Sequence, residues 1–294
     1  MPILSIRHVT RYRYRNPVAL GEHRMMFRPR ESYDQRLLSC DLTITPTPTR
    51  LRSVHDVFGN CVGVAGFGGS TSELVFESLA RLEHTPLPAF ADIDGEIEVY
   101  TGQMPFAYSI EDLPDLQLSM ARHYPDPTGE VDAWARRFVN ASGRTSLQTL
   151  LSDMTQAIYS GFTYSSRLAI GTQSPTETLS LRTGSCRDYA VLMMEAVRSL
   201  GLAARFVSGY IYSPVQSTGG RVGGGHTHAW VHVYLPSCGW VEFDPTNGIV
   251  GNADLIRVAV ARDPRQAVPL YGTWSGSPGD YEGMDVEVDV RTEH

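Results

Sequence analysis

The residues best suited to chemistry lie in two short segments. The first, TGSCRDYAVLMMEAVRSLG at 183–201, contains Cys186, and the second, GGGHTHAWVHVYLPSCGWVEFDPTN at 223–247, contains three histidines and Asp244. A thiolate, an imidazole and a carboxylate form the set of groups that supports nucleophilic acyl transfer. The three histidines, considered alone, also raise the alternative of a metal site.

Cys186 is predicted at the first turn of a helix that Gly201 ends, behind Thr183 and Ser185, either of which can cap the helix. Unpaired amides and the helix dipole favour an anion at this end, so the position suits a thiolate nucleophile. Free cysteine is also a commonly buried residue, so a structural role is the alternative. The other three cysteines lack such a setting: Cys40, Cys61 and Cys238.

The histidines are predicted on one face of a strand, because alternate side chains of a strand point the same way. His228 and His232 would lie about 13 Å apart at roughly 3.3 Å per residue, too far to share a zinc ion with bonds of about 2 Å. His226 and His228 could share an ion, but no carboxylate or cysteine stands at metal-ligand spacing. We therefore expect neither a metal site nor a cofactor.

Asp244 can reach the histidine face in only one hairpin register. A loop of even length would set Asp244 opposite Val231, facing away from His228. Pairing Trp230 with Asp244 instead makes the carboxylate diagonal to His228, and it requires an odd loop or a bulge, for which Gly239 is well suited. We predict this second register. The alternative is that Asp244 only caps the turn in FDPTN.

The first part of the chain has strand periodicity. It predicts a β-sandwich-like N-terminal domain over 1–110, followed by a proline-bearing connector at 111–127. The predicted strands are 3–14, 40–47, 51–57 and 73–83, with a hairpin that turns at Gly59 and Asn60.

From 128 the periodicity becomes helical, and strands follow, so we predict an α+β core over 128–264. The predicted helices are 130–142, 146–162 and 186–200, and the predicted strands are 204–212, 228–235 and 240–244. A tail at 265–294 ends in the alternating sequence MDVEVDV, which predicts a late strand that pairs with either sheet.

Composition excludes several classes of function. A net charge of −7 argues against a nucleic-acid partner, and the arginines at positions 7, 11, 13 and 15 alternate with other residues as on a solvated sheet face. The sequence has no membrane-length apolar run and no signal-peptide pattern, so we expect a cytoplasmic protein without a membrane partner. Four scattered cysteines indicate reduced thiols.

Three segments, in this order, resemble the transglutaminase-like superfamily of papain-type cysteine enzymes in its bacterial form: TGSCRDYA, RFVSGY and HAWVHVYLPSCGWVEFDPTN. HVTRYRYRNPV, MMFRPR and DVFGNCVGVAGFGG resemble the β-rich N-terminal domain of the bacterial members. IRVAVARDPRQAVPLYG resembles their C-terminal segment but departs from it at Pro264 and Arg265. The resemblance therefore extends over most of the chain.

The resemblance implies that Cys186 is the nucleophile, His228 its base and Asp244 the residue that orients the histidine. A carboxamide or peptide substrate would form a thioester, and water or a primary amine would then complete hydrolysis or transfer. Both outcomes stay open, as does the identity of a protein or peptide substrate. The competing hypothesis is a transglutaminase-like fold retained for binding without catalysis.

The resemblance also implies two hydrogen-bond donors for the oxyanion of the intermediate. The Cys186 amide at the helix start is one. Relatives supply the other from a side chain upstream of the cysteine, often tryptophan or glutamine, and here Tyr164 and Gln173 are weak candidates. No EF-hand-like loop is present, so calcium dependence is not expected.

Overall fold

The computed structural model describes residues 2–86, 95–97, 106–166, 171–213, 222–236 and 238–293. Part of the predicted N-terminal domain, 1–110, therefore lies outside the described residues. Ser237, in the predicted hairpin loop, lies outside them as well. Within the described ranges, no helix combines the length and apolarity needed to cross a membrane.

Long strands dominate the N-terminal part of the chain. They are β1 (Ile3–Met25), β2 (Gln35–Thr45), β3 (Arg50–His55), β4 (Cys61–Gly66) and β5 (Ser70–His84), followed by the short β6 (Glu96–Ile97). β1 is longer than predicted, and β3 and β4 form the predicted hairpin, in which Gly59 has a φ of 72°.

Helices follow, separated by short strands. In chain order these elements are α1 (Leu113–Met120), α2 (Glu130–Arg136), β7 (Thr145–Ser146), α3 (Leu147–Gly161), β8 (Thr163–Tyr164), α4 (Pro175–Leu181), β9 (Thr183–Gly184) and α5 (Cys186–Ser199). The sequence predicted α2, α3 and α5. It did not predict α1, which lies in the proline-bearing connector, or α4, because both are short and each begins at a proline-containing turn.

The remaining elements are strands with two short 3-10 turns. They are β10 (Ala204–Ile211), β11 (His228–Leu235), β12 (Gly239–Asp244), β13 (Ile249–Val250), β14 (Leu255–Ala261), β15 (Leu270–Ser275) and β16 (Tyr281–Glu293), with turns at Pro264–Gln266 and Pro278–Asp280.

The N-terminal sheet is antiparallel and doubles back on itself along β1. The first half of β1 pairs with β5 and β16, and its second half pairs with β4 and β15. The β1–β5 register shifts between Arg13 and Val18, as expected where a strand bends. The two halves face each other across an apolar cluster, in which the rings of His23 and Phe76 lie 5.9 Å apart. This arrangement agrees with the sandwich-like prediction.

The predicted late strand is β16, which pairs with β1 along its whole length and so returns to the N-terminal sheet. The arginines near the start of β1 lie on the exposed face of that sheet. Each is close to a carboxylate of a neighbouring strand, as in the pairs Arg7–Glu77 at 2.7 Å and Arg13–Asp285 at 2.6 Å. The basic run is therefore neutralised locally by acidic neighbours.

The core sheet has the strand order β13-β12-β11-β10-β14, with antiparallel pairing throughout. Helix α5 packs on β10 and β11 and is buried on nearly all sides. Its charged residues Glu195 and Arg198 are buried as well, and they form an ion pair at 2.8 Å, as buried charges require. Burial of α5 fixes its first residue, Cys186, against the sheet that carries the histidines.

Candidate active site

Cys186 is the first residue of α5 and is 7% exposed. As a first-turn residue, its N–H is one of the four helix amides without an intrahelical partner. The helix dipole adds partial positive charge at the same place. The thiol and an adjacent free amide therefore lie at one point, as a nucleophile and an oxyanion donor would require.

The start of α5 is held by the buried carboxylate of Asp188. Oδ2 of Asp188 accepts hydrogen bonds from the backbone N–H and the hydroxyl of Ser185, both at 2.8 Å. Oδ1 accepts a bond from the backbone N–H of Gln173 at 2.7 Å. Asp188 thus fastens the segment before α4 to the helix start and fixes the direction of Cys186.

The hairpin of β11 and β12 has the predicted register. Leu235 pairs with Gly239 and Val231 with Phe243, so the same register continued sets Trp230 opposite Asp244. Three positions, 236–238, separate the first pair, and Gly239 has a φ of 73°. The odd loop and the left-handed glycine are the two features that the sequence required for Asp244 to share the face of His228.

His228 and Asp244 form a buried hydrogen-bonded pair. Nε2 of His228 lies 2.8 Å from Oδ2 of Asp244, and the two side chains have no solvent exposure. Asp244 Oδ2 also accepts a bond from Nδ2 of Asn247 at 2.8 Å, and Oδ1 accepts one from the N–H of Thr246 at 2.9 Å. The carboxylate is therefore satisfied by fixed donors, as a buried charge must be.

These contacts set the protonation of the pair. Burial alone would lower the pKa of His228, but the charge of Asp244, their hydrogen bond and the neighbouring Cys186 raise it to about 10. Burial alone would raise the pKa of Asp244, but the charge and hydrogen bond of His228 and the bonds from Asn247 and Thr246 lower it. At neutral pH the pair is an imidazolium and a carboxylate.

The other ring nitrogen of His228 is available for proton transfer. Nδ1 is buried and makes no hydrogen bond within the described ranges. Cys186 lies close enough to His228 to contribute to its raised pKa. A Cβ on Gly223, whose φ is 95°, would come within 2.6 Å of Nδ1. Only glycine therefore lets this loop pass beside the imidazole.

Tyr164 is an aromatic residue close to Cys186. Its strand, β8, is parallel to β9 and pairs Tyr164 with Gly184, two residues before Cys186. The phenol is 37% exposed. Burial raises the pKa of Tyr164 to about 12, with further contributions from Cys186, Tyr189 and nearby carboxylates, so the hydroxyl keeps its proton at neutral pH. It is thus a hydrogen-bond donor with an open side.

Gln173, the other candidate donor, is engaged elsewhere. Its Oε1 accepts a bond from the Thr178 hydroxyl at 3.1 Å, and its backbone N–H binds Asp188. The side chain lies behind Gly184, where an added Cβ would approach Gln173 Oε1 to 3.1 Å. Gln173 therefore supports the start of α5, and Tyr164 is the better donor.

The remaining histidines have separate partners. His226 precedes β11 instead of lying on it, and its Nδ1 lies 3.1 Å from the carbonyl oxygen of Val286 in β16. His232 lies on β11, and its Nε2 is 3.1 Å from Oε1 of Glu242. His228 and His232 thus face different carboxylates.

Sequence reasoning missed two residues of this site, Asn247 and Gly223. Asn247 binds Asp244 and also the backbone of Val222, whose N–H donates to Asn247 Oδ1 at 2.8 Å. Asn247 therefore ties the loop before β11 to the carboxylate. Both residues lie in segments that the sequence had singled out, DPTN and GGGHTH. Their roles could not be predicted because they depend on the loop at 222–226 packing against the turn at 244–247.

Comparisons with known proteins agree with this architecture. Residues 132–245, which include Cys186, His228 and Asp244, match the family model of the transglutaminase-like superfamily. Residues 4–83 match the model of the bacterial transglutaminase-like N-terminal region. The two matches together extend over most of the described chain.

Two relatives illustrate the range of similarity. An uncharacterized protein of Mycobacterium tuberculosis is 28% identical over 292 residues, 97% of this chain and 91% of that protein. A protein-glutamine gamma-glutamyltransferase of Pseudomonas aeruginosa is 37% identical over 67 residues, 22% of this chain and 10% of that protein.

Among solved structures, a candidate cysteine protease from Cytophaga hutchinsonii superposes with a TM-score of 0.72 at 19% identity. The match covers 98% of this chain and 90% of that one, so both parts of the chain share the fold.

Proposed function

The chain belongs to the transglutaminase-like superfamily, and on that premise we propose that it is a cysteine enzyme that transfers acyl groups from carboxamide or peptide bonds. The observation that carries the proposal is the buried pair of His228 and Asp244, 2.8 Å apart, whose free ring nitrogen is beside Cys186 at a helix start. Buried ionised groups are costly to maintain, which favours a functional role for this pair over a fold retained only for binding.

In the first half-reaction, the Cys186 thiolate attacks the carbonyl carbon of the substrate. The C=O π pair moves onto oxygen, which becomes the oxyanion of a tetrahedral intermediate. The His228 imidazolium then donates its Nδ1 proton to the leaving nitrogen. The C–N bond breaks, ammonia or an amine departs, and a Cys186 thioester is left.

In the second half-reaction, neutral His228 takes a proton from water or from a primary amine as it attacks the thioester. Collapse of the new intermediate releases the acid or the new amide and restores the thiolate and the imidazolium. Asp244 stays ionised throughout and keeps Nε2 of His228 engaged, so Nδ1 stays directed to the reacting atoms.

Two donors stabilise the oxyanion in this proposal: the N–H of Cys186 and the hydroxyl of Tyr164. The support for Tyr164 is its pairing with Gly184, its exposure on one side and its retained proton. A single oxyanion donor contributes roughly 10²–10³-fold to turnover in comparable sites. Tyr164 would act only on the intermediate, so its contribution belongs to kcat.

The decisive experiment incubates the protein with a peptide library containing glutamine and asparagine, with and without a primary amine, followed by mass spectrometry. Cleaved or deamidated peptides would identify a hydrolase, and amine adducts would identify a transferase. The matched control is Cys186→Ala, which should form neither product. Equal product from Cys186→Ala, or no product from either protein, would contradict the enzymatic proposal.

A further inference from the structure

A cavity lined by several charged side chains lies between the N-terminal domain and the core sheet. Its volume is about 300 Å³, at the lower end of the range for small-molecule pockets. One wall is the segment 30–34, which follows β1, and the others come from β10, β12 and β14. The side chains that matter for its charge are Arg30, Glu31, Asp34, Arg205, Glu242 and Arg257.

The two buried carboxylates of the cavity are both bound by one arginine. Arg257 donates to Oδ1 of Asp34 through Nη2 and to Oε1 of Glu242 through Nη1. Its Nη2 also donates to the hydroxyl of Ser32 at 2.7 Å. Glu242 is further engaged by His232. This network joins the two parts of the chain, and in it both acids are paired with Arg257.

Arg205 has no such partner. It makes no hydrogen bond or ion pair within the described part of the chain, and its guanidinium carbon lies 3.8 Å from the centre of the Trp240 ring. Burial, and after it the charge of Arg30, lower the pKa of Arg205 to about 10. The guanidinium thus lies over the indole ring and has no ion-pair partner among the described residues.

Arg30 adds a second positive charge to the same cavity. Its Nη1 donates to the carbonyl oxygen of Phe58 at 3.0 Å and to Oδ1 of Asn60 at 2.6 Å, both neutral acceptors. It forms no ion pair within the described ranges. Burial and the charge of Arg257 lower its pKa, and the nearby carboxylate of Asp56 partly opposes this shift. Arg30 and Arg205 therefore repel each other, and an anion between them would remove the repulsion.

We infer that this cavity is a binding site for a small oxyanion, a phosphate or a carboxylate, held by Arg205 and Arg30 beside Trp240. Planar guanidinium groups bind both anions through paired hydrogen bonds. The exposed side chain of Glu31 also lines the cavity and opposes binding by repulsion. The site is separate from Cys186, since its histidine, His232, is four residues along β11 from His228.

The experiment titrates sodium phosphate and, separately, sodium succinate into the protein by calorimetry, at constant ionic strength set with sodium chloride. All proteins carry Cys186→Ala, so the result does not depend on the proposed acyl transfer. We expect binding of one anion, accompanied by a rise in melting temperature of roughly 2–4 °C near saturation. Whichever anion binds, phosphate or succinate, shows whether the ligand class is a phosphate or a carboxylate.

Arg205→Gln should weaken the binding at least ten-fold, and Glu31→Gln should strengthen it. The matched control is Arg36→Gln, at an arginine that is 73% exposed and lies 3.2 Å from Glu83, and it should leave the affinity unchanged. Because Glu31 is exposed, its variant tests the site even if Arg205→Gln does not fold. If neither phosphate nor succinate binds, or if all variants bind the anion equally, the inference is overturned.

Discussion

Nε2 of His228 and Oδ2 of Asp244 lie 2.8 Å apart inside the protein, although the residues are 16 positions apart on two strands. The contact exists because the β11–β12 hairpin has an odd loop, which directs both side chains to the same face. The pair leaves Nδ1 of His228 as the nitrogen available to Cys186. Five predictions test this arrangement.

Asp244→Asn should reduce kcat/KM by roughly 10²–10⁴-fold, because the imidazole loses the charge that orients it and stabilises its protonated form. The measurement is the rate of product formation in the peptide assay. The control is Asp41→Asn, at an exposed position of β2 far from the hairpin contacts, and it should keep full activity. Full activity of Asp244→Asn would remove Asp244 from the mechanism.

The protonation of His228 should persist far above neutral pH. Its pKa is raised to about 10, so its NMR signals should stay those of an imidazolium at pH 8 and titrate only in the alkaline range. His8 is an internal contrast, because burial lowers its pKa to about 4 and it should be neutral at the same pH. In Asp244→Asn, burial would dominate and the pKa of His228 should fall.

The raised pKa of His228 also predicts how the free energy of unfolding depends on pH. The folded pKa of His228 is above its ordinary value of 6.5, so its stabilising contribution is complete below about pH 6.5 and is lost as the pH rises towards 10. Urea unfolding at several pH values measures the free energy of unfolding of wild type and of Asp244→Asn. The difference between these two free energies should shrink as the pH rises from 6.5 towards 10. A constant difference from pH 6 to pH 10 would contradict a raised pKa.

Tyr164→Phe should lower kcat by roughly 10²–10³-fold with little change in KM, because the lost hydroxyl binds only the oxyanion. Alkylation of Cys186 by iodoacetamide should be unchanged, since this reaction forms no oxyanion. The control is Tyr159→Phe, at an exposed tyrosine of α3. A rise in KM at constant kcat would instead assign Tyr164 to substrate binding.

Gly223→Ala and Gly225→Ala are matched substitutions in the loop before β11, and only the first lies beside the imidazole of His228. Their φ values are 95° and 87°, so each alanine is strained by about 1–3 kcal/mol. Only the Gly223 substitution brings a Cβ to 2.6 Å from Nδ1 of His228, whereas Gly225 has nothing within 4 Å. We expect activity to fall at least about ten-fold more in Gly223→Ala. Equal activities would show that backbone strain alone matters.

The fold was predictable wherever local pattern decides structure. Periodicity identified α2, α3, α5, the long N-terminal strands and β10 to β12, and the capping residues located the start of α5, but β14 and β15 were not predicted. It failed for α1 and α4, which are short helices next to prolines, because their helical conformation depends on packing. It also could not assign β16, since an alternating strand is compatible with either sheet until the partners are known.

The sequence by itself determined the candidate reactive groups, Cys186, His228 and Asp244, and the register that a contact between His228 and Asp244 requires, because strand alternation and loop parity are local properties of the chain. Only the tertiary structure decided that Asn247 clamps the loop at Val222, that Gly223 passes beside the imidazole and that Tyr164 lies near the thiol. These contacts join segments distant in the chain, and their geometry depends on how α5 and the core sheet pack together.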